Sequence, residues 1–268
     1  MNELYLIPDF DRIEDSVRLS RMFGAHFEYN DFFHPSVLDD ERGVKKRIDF
    51  YKKLDRDRTR DILHGAFLDV TVHSEDKRIR DVSTLRIRQS MEIAAELGIR
   101  GVVFHTNQIP NFKTPEYIQH WVDSNREFWM MILDEYPTLE IFLENMFDED
   151  PDMLYRLAVE MQEQERFGIC FDYAHATVFG QNIDMWADKL LPFTKHIHIN
   201  DNNRKVDMHQ SIGKGAIDWH QFNRLIKKSR TDSSVLIEVN GLQKQEESLQ
   251  YIKEYGIYPF LLDEPEGR

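Results

Sequence analysis

The sequence contains a single cysteine, Cys170, in 268 residues. A lone thiol can form no internal disulfide and cannot build a Cys-rich structural zinc site. With no basic partner in its local sequence, Cys170 reads as a core residue rather than a nucleophile. No window approaches the roughly 18 apolar residues of a membrane span. The opening MNELYLIPDF lacks the cationic start and long apolar run of a signal peptide, so the expectation is a soluble protein in a reducing, cytoplasmic setting. Cations are scarce as well. Lys and Arg number 34 against 48 Asp and Glu, a formal net charge of −14, which speaks against a long polyanionic partner such as nucleic acid. No G-x-G-x-x-G or Walker-type loop follows an early strand, which weakens a nucleotide-binding open sheet.

What is present is a regular alternation. Short apolar, β-rich runs occur at 4–8, 25–30, 61–67, 101–107, 139–146, 167–175, 195–201 and 235–240. Between them lie segments with helical spacing at 13–22, 36–54, 79–97, 114–135, 151–165, 183–191, 218–229 and 245–254. In the clearest of these, Val82, Leu85, Ile93, Ala94 and Leu97 share a predicted apolar face, and Gly98 supplies a stop. Parallel strands require crossover connections, and eight strand–helix units in a chain of this length predict an α/β fold, a (β/α)₈ TIM barrel spanning 1–268 as a single domain.

The residues that carry chemistry stand at or near the ends of those strands: His64, His105, Glu144, Asp172 with His175, His198 and Glu238. Each is separated from the next by about one strand–helix unit, so closure of the barrel brings them to one mouth, where barrel enzymes place their active sites. Glu144 in IFLENM, Asp172 in ICFDYAH and Glu238 in VLIEVN each interrupt an apolar strand. An unpaired carboxylate there would cost several kcal/mol on burial, so three at one mouth call for a cation. Imidazole and carboxylate donors suit Zn²⁺ or Mn²⁺. After the seventh strand, Asp207 and His209 are two apart and can join His175 around one ion, and Gly213 and Gly215 let that loop turn tightly. Arg204, Lys205 and Lys214 are the cations nearest this site and are candidates for holding a substrate phosphate. His196 shares strand parity with His198 and reads as a supporting residue. His26, His34, His73, His120 and His220 read as ordinary structural histidines.

As an ordered set, ILHGAF, VVFHTN, FLEN, FDYAH, HIHINDNN, DMHQSIGKGAIDW and LIEVN run from residue 61 to 240. The set resembles the xylose isomerase-like TIM-barrel superfamily, which includes sugar phosphate isomerases and epimerases and endonuclease IV-like proteins (AP endonuclease family 2). The isomerase resemblance implies one metal held by Glu144, Asp172, His198 and Glu238, with Glu144 and Glu238 as the catalytic pair. The endonuclease IV-like resemblance implies three ions. His64, His105 and Glu144 hold the first; Glu144 bridges to a second held by Asp172, His198 and Glu238; His175, Asp207 and His209 hold the third.

The expected activity is that of a metal-dependent isomerase or epimerase acting on a small sugar, polyol or phosphorylated metabolite with one to three Zn or Mn ions. The alternatives are an endonuclease IV-like multinuclear zinc phosphoesterase and a non-catalytic metal- or sugar-binding barrel. In the isomerase reading, Glu144 and Glu238 shuttle a proton beside a carbonyl polarised by the metal. In the hydrolytic reading, closely spaced ions bind phosphate oxygens and activate a water. The partner is expected to be a small molecule, with no membrane and no nucleic acid, and self-association is left open.

Overall fold

In the computed structural model, which describes residues 3–261, the chain closes as eight parallel strands in sequence order. These are β1 (Leu4–Leu6), β2 (His26–Tyr29), β3 (Ile62–His64), β4 (Gly101–His105), β5 (Glu140–Glu144), β6 (Phe167–Asp172), β7 (Thr194–Ile199) and β8 (Ser234–Ile237), with β8 pairing β1. The helices are α1 (Ile13–Phe23), α2 (Pro35–Leu38), α3 (Glu41–Lys52), α4 (Lys77–Leu97), α5 (Pro115–Glu135), α6 (Asp152–Glu160), α7 (Tyr173–Phe179), α8 (Ile183–Leu190), α9 (Trp219–Ser229) and α10 (Leu242–Glu254). No helix among the described residues is long and apolar enough to cross a membrane. This is the predicted TIM barrel.

The elements depart from the sequence expectations where side chains cap the backbone. The helix predicted over 36–54 is two helices, because Asp40 interrupts it and its carboxylate accepts from Gly43 N–H to start α3. The strand predicted over 167–175 ends at Asp172, whose carboxylate caps α7 by accepting from His175 N–H at 2.6 Å. His175 therefore sits in the first turn of a helix. On α4 the predicted apolar face is only half right: Ile93, Ala94 and Leu97 are buried, whereas Val82 and Leu85 are exposed. The face toward the barrel runs instead through Ser83, Ile87, Ser90, Met91 and Ala94.

Two apolar layers result. The larger fills the space between strands and helices and includes the fully buried Trp121, Trp129 and Trp186. The smaller, Tyr5, Ile7, Ile62, Val103, Phe142, Cys170 and Leu236, fills the barrel interior. Strand side chains alternate between these layers with a period of two. Ile62 is followed two residues on by His64, Val103 by His105, Phe142 by Glu144, Cys170 by Asp172 and Leu236 by Glu238. These five candidate ligands are thus each the next inward step toward the carboxyl end of the strand. Register aligns them laterally, with His105 opposite Glu144 and Asp172 opposite His198.

Candidate metal centre

The nine predicted ligands are brought together as three groups: His64, His105 and Glu144; Glu144, Asp172, His198 and Glu238; and His175, Asp207 and His209. Within each group the potential ligand atoms lie no more than 4.8 Å from one another. Two ligand atoms on a tetrahedral zinc, at bond lengths near 2.0–2.1 Å, stand about 3.3 Å apart. His64 Nε2 lies 3.1 Å from His105 Nε2, and Glu144 Oε2 lies 3.3 Å from His105 Nε2 and 3.7 Å from His64 Nε2. His198 Nδ1 is 3.3 Å from Glu144 Oε2 and 3.6 Å from Glu238 Oε2. Asp207 Oδ2 is 2.8 Å from His209 Nε2 and 3.4 Å from His175 Nε2. These spacings match donors awaiting a common ion.

The backbone selects which imidazole nitrogen faces inward. His175 Nδ1 meets the Asn145 carbonyl at 2.9 Å, His209 Nδ1 the Glu238 carbonyl at 2.8 Å, and His64 Nδ1 the Gly65 carbonyl at 3.1 Å. Donation from Nδ1–H leaves each Nε2 lone pair pointing into the mouth, as metal-ligating histidines require. A fit test comes from the unpaired atoms. Both Glu144 oxygens, Asp172 Oδ2, Asp207 Oδ1, Glu238 Oε2 and His198 Nδ1 are buried without a hydrogen-bond partner. Buried polar atoms are normally satisfied, so such a concentration at one spot fits cations.

Electrostatics agree. Burial, with Glu238 and Glu144 adding to it, pushes the Asp172 carboxyl up to about 8. Burial alone would raise Glu144, yet His198 and His105 outweigh it and hold Glu144 well below the usual carboxylate range. His209, opposed by burial but drawn up by Glu238 and Asp207, is pushed to about 10.

The third group depends on the loop between β7 and α9. Asp201, nearly fully buried, accepts at one carboxylate oxygen from Asn202 and Ile217 N–H, and at the other from Gly213 N–H and Trp219 Nε1–H. An Asp201–Gln210 backbone bridge completes the clasp. A side chain on Gly215 would collide with Asp201, and one on Gly213, at φ +85°, would strike the Tyr251 ring. His209 itself sits at φ +44°, a sparsely populated region for a side-chain-bearing residue. Arg204, Lys205 and Lys214 are exposed on this loop and do not line the mouth cavity.

That cavity has a volume of about 310 Å³ and is lined by His64, His105, His175, Asp207, His209 and Glu238. Phe33, Phe67, Met146 and Phe147 give the cavity an apolar lining, with the Phe67 ring against His105 and His64. Its size suits a small molecule.

Several supporting residues escaped the sequence analysis. Asn145 accepts from Asp172 N–H and donates to the Asp172 carbonyl, tying β5 to β6 beneath Glu144. Asp201 is the clasp described above. Glu28 on β2 reaches His196 and His198 from below. Glu28 interrupts HFEY as Glu144 interrupts IFLENM, so the signal that flagged one could have flagged the other. Cys170 lies near His196 and His198, and burial pushes its thiol well up.

The family pattern described as xylose isomerase-like TIM barrel matches residues 13–255. This chain belongs to that family. Among its relatives is the uncharacterised protein MJ1311 of Methanocaldococcus jannaschii, 28% identical over 222 residues covering 78% of this chain and 75% of that one. A probable endonuclease 4 of Protochlamydia amoebophila is 27% identical over 184 residues, 60% of this chain and 64% of that protein's length. Among solved structures, the TTHB071 protein of Thermus thermophilus, soaked with zinc chloride, superposes with a TM-score of 0.74 at 23% identity, covering 94% of this chain and 97% of that one. A D-tagatose 3-epimerase-like protein superposes with a TM-score of 0.72 at 23% identity, covering 95% and 97%. At that identity the two structures speak for the shared barrel.

Proposed function

We propose that this xylose isomerase-like barrel is a metal-dependent enzyme acting on a small phosphorylated sugar or polyol, with phosphoester hydrolysis as the reaction its geometry supports best. The observation that carries this reading is the sorting of nine ligands into three groups, two of them sharing Glu144, around one cavity. Zn²⁺ or Mn²⁺ at these groups would bind phosphate oxygens, activate a water and neutralise the departing oxygen. Glu144 lies between the first two groups and fixes their separation. Glu238 lines the cavity, and with Oε2 toward the central ion its other oxygen would orient the attacking water and accept its proton. Phe33, Phe67, Met146 and Phe147 shield the reacting atoms from bulk water and offer the apolar face of a sugar ring something to pack on.

Charge supports a phosphorylated substrate despite the net −14 of the chain. Four carboxylates, Glu144, Asp172, Asp207 and Glu238, against three divalent ions leave a local positive surplus that suits a phosphate dianion. Arg204, Lys205 and Lys214 stand on the same loop as Asp207 and His209 and would add long-range attraction without touching the substrate. Among the described residues no Lys or Arg lines the cavity, so a small molecule fits better than a duplex.

A second reading has its own observation. Glu144, Asp172, His198 and Glu238 form a complete four-residue group by themselves, and their two glutamates both approach His198 Nδ1. That arrangement could pass a proton at a sugar carbon, as an isomerase or epimerase needs, and the D-tagatose 3-epimerase-like barrel shares the fold. The two reactions separate in one experiment. Zinc- or manganese-loaded protein is incubated in deuterated water with sugar phosphates, ketoses, phosphodiesters and an abasic-site duplex. Phosphate release without deuterium in the sugar supports hydrolysis. Deuterium entering a sugar carbon with no phosphate released would transfer the assignment to isomerisation, and cleavage of the duplex would overturn the small-molecule substrate.

A further inference from the structure

The barrel interior beneath the mouth is apolar except at one place. Among Tyr5, Ile62, Val103, Phe142 and Leu236 stand Glu28 and His196, both with no exposed surface. A buried carboxylate costs several kcal/mol unless paired, and an apolar residue would fill the same volume at no such cost. Glu28 is paired with two histidines at once. Both histidines bond its Oε2, His196 Nε2 at 3.0 Å and His198 Nε2 at 3.3 Å, while its Oε1 lies 3.2 Å from His198 Nε2 without a hydrogen-bond partner of its own. His196 Nδ1 in turn lies 2.7 Å from the Ser234 hydroxyl. A carboxylate only accepts, so both Nε2 atoms donate to it. The Ser234 hydroxyl, beside His196 Nδ1, also donates to the Lys195 carbonyl at 3.2 Å. With Nε2–H committed to Glu28, His198 has a single free lone pair, on Nδ1. That atom is buried and unpartnered, and it faces the Glu144 and Glu238 carboxylates.

We infer that Glu28 is the positioning residue of the central ion, working through a Ser234–His196–Glu28–His198 chain that locks the His198 ring and presents Nδ1 to the mouth. The inference rests on the metal-centre reading above. His64, His175 and His209 are oriented by backbone carbonyls, which no substitution removes, and His105 Nδ1 meets the Met146 sulfur, whereas His198 is oriented by a buried carboxylate. Substitution of Glu28 should therefore loosen the central ion selectively. His196 has a defined part as well. It fills the second donor position on Glu28 and keeps the carboxylate from rotating away from His198.

The test uses Glu28→Gln, which preserves volume, with Glu28→Ala beside it. Zinc affinity is measured by chelator competition, and the His198 tautomer is read by nitrogen-15 histidine NMR of the zinc-loaded protein. In the wild type, His198 should carry its proton on Nε2. In Glu28→Gln, one zinc equivalent should bind about 10- to 100-fold more weakly, the usual loss when a histidine ligand's partner is removed. The other equivalents should keep their affinity, and the His198 nitrogen shifts should move. Retained flanking sites also report an intact barrel, so the glutamine variant decides the matter even where the alanine variant fails to fold. Unchanged affinity and unchanged His198 shifts in Glu28→Gln would overturn the positioning role while leaving the metal centre standing. A wild type that binds no zinc would overturn the metal centre and this inference with it.

Discussion

Removing metal should destabilise the fold by an amount the geometry bounds. Without ions, both Glu144 oxygens, Asp172 Oδ2, Asp207 Oδ1 and Glu238 Oε2 stay buried and unpaired, so the metal-free protein retains penalties that bound ions would relieve. Each unsatisfied buried atom costs about 1–3 kcal/mol, more when charged. Protons held by the histidines offset part of that cost, so mass action gives the firmer figure. A single ion present at a thousandfold excess over its dissociation constant stabilises the native state by about 4.1 kcal/mol. For a chain of this size about 1 kcal/mol shifts the melting midpoint by roughly 2–4 °C, so one ion alone should raise it by about 8–16 °C. The assay is a thermal melt of chelator-treated protein, repeated after stepwise addition of zinc or manganese. Magnesium serves as a control, because this nitrogen-rich donor set suits it poorly. A midpoint that moves less than about 2 °C on chelation and reloading would refute the assignment of these orphaned atoms to metal.

Three other outcomes follow from particular groups. In the metal-free fold Asp172 and His209 hold protons to about 8 and about 10, whereas the unfolded chain releases them near pH 4 and 6.5. Their contribution to stability is complete below those unfolded values and is lost as pH rises through the folded ones. Chelated protein should therefore be less stable at pH 8.5 than at pH 6.5, by roughly 4 kcal/mol or about 2 for each group, while zinc-loaded protein should not; a chelated midpoint that rises with pH contradicts this. Asp201→Asn loses the charge and half the acceptors of the loop clasp, so it should cost about 3 kcal/mol and release the ion at His175, Asp207 and His209, measured by denaturant titration and metal analysis. Glu144→Gln keeps its shape but not its bridging charge, and should lower turnover at least about a thousandfold (roughly 4 kcal/mol of barrier) on whichever substrate proves active; an active variant would remove Glu144 from the chemistry.

The barrel was legible because its signal is repeated. Eight apolar runs alternate with eight helical stretches, and an error in one leaves the others standing. Boundaries failed where a single side chain overrode the pattern: Asp40 split one helix, and Asp172 ended a strand that its apolar composition would have carried on to His175. The α4 face failed because Ser83 and Ser90 point inward and Val82 and Leu85 do not, a choice that hydropathy alone cannot make. Ser83 and Ser90 instead accept from Thr71 and Ala66 N–H in the loop after β3. Glu144, Asp172 and Glu238 were conspicuous in the sequence as carboxylates inside apolar strands, whereas the full set of nine candidate ligands came from the family resemblance. The residues that orient them were not legible, since Asn145, Asp201 and Glu28 act across strand pairs and loop closures far apart in sequence. Arg204, Lys205 and Lys214 show the converse, because sequence proximity to Asp207 does not place a side chain in the cavity.

Metal stoichiometry tests the shared-ligand centre most directly. Protein purified without chelator, then analysed by inductively coupled plasma mass spectrometry, should carry more than one and up to three zinc or manganese ions per chain. His64→Ala and His209→Ala, at opposite ends of the cluster, should each lose about one equivalent and keep the rest. One ion per chain in the wild type, unchanged in both variants, would contradict the three-group centre and leave only the four-residue site of Glu144, Asp172, His198 and Glu238.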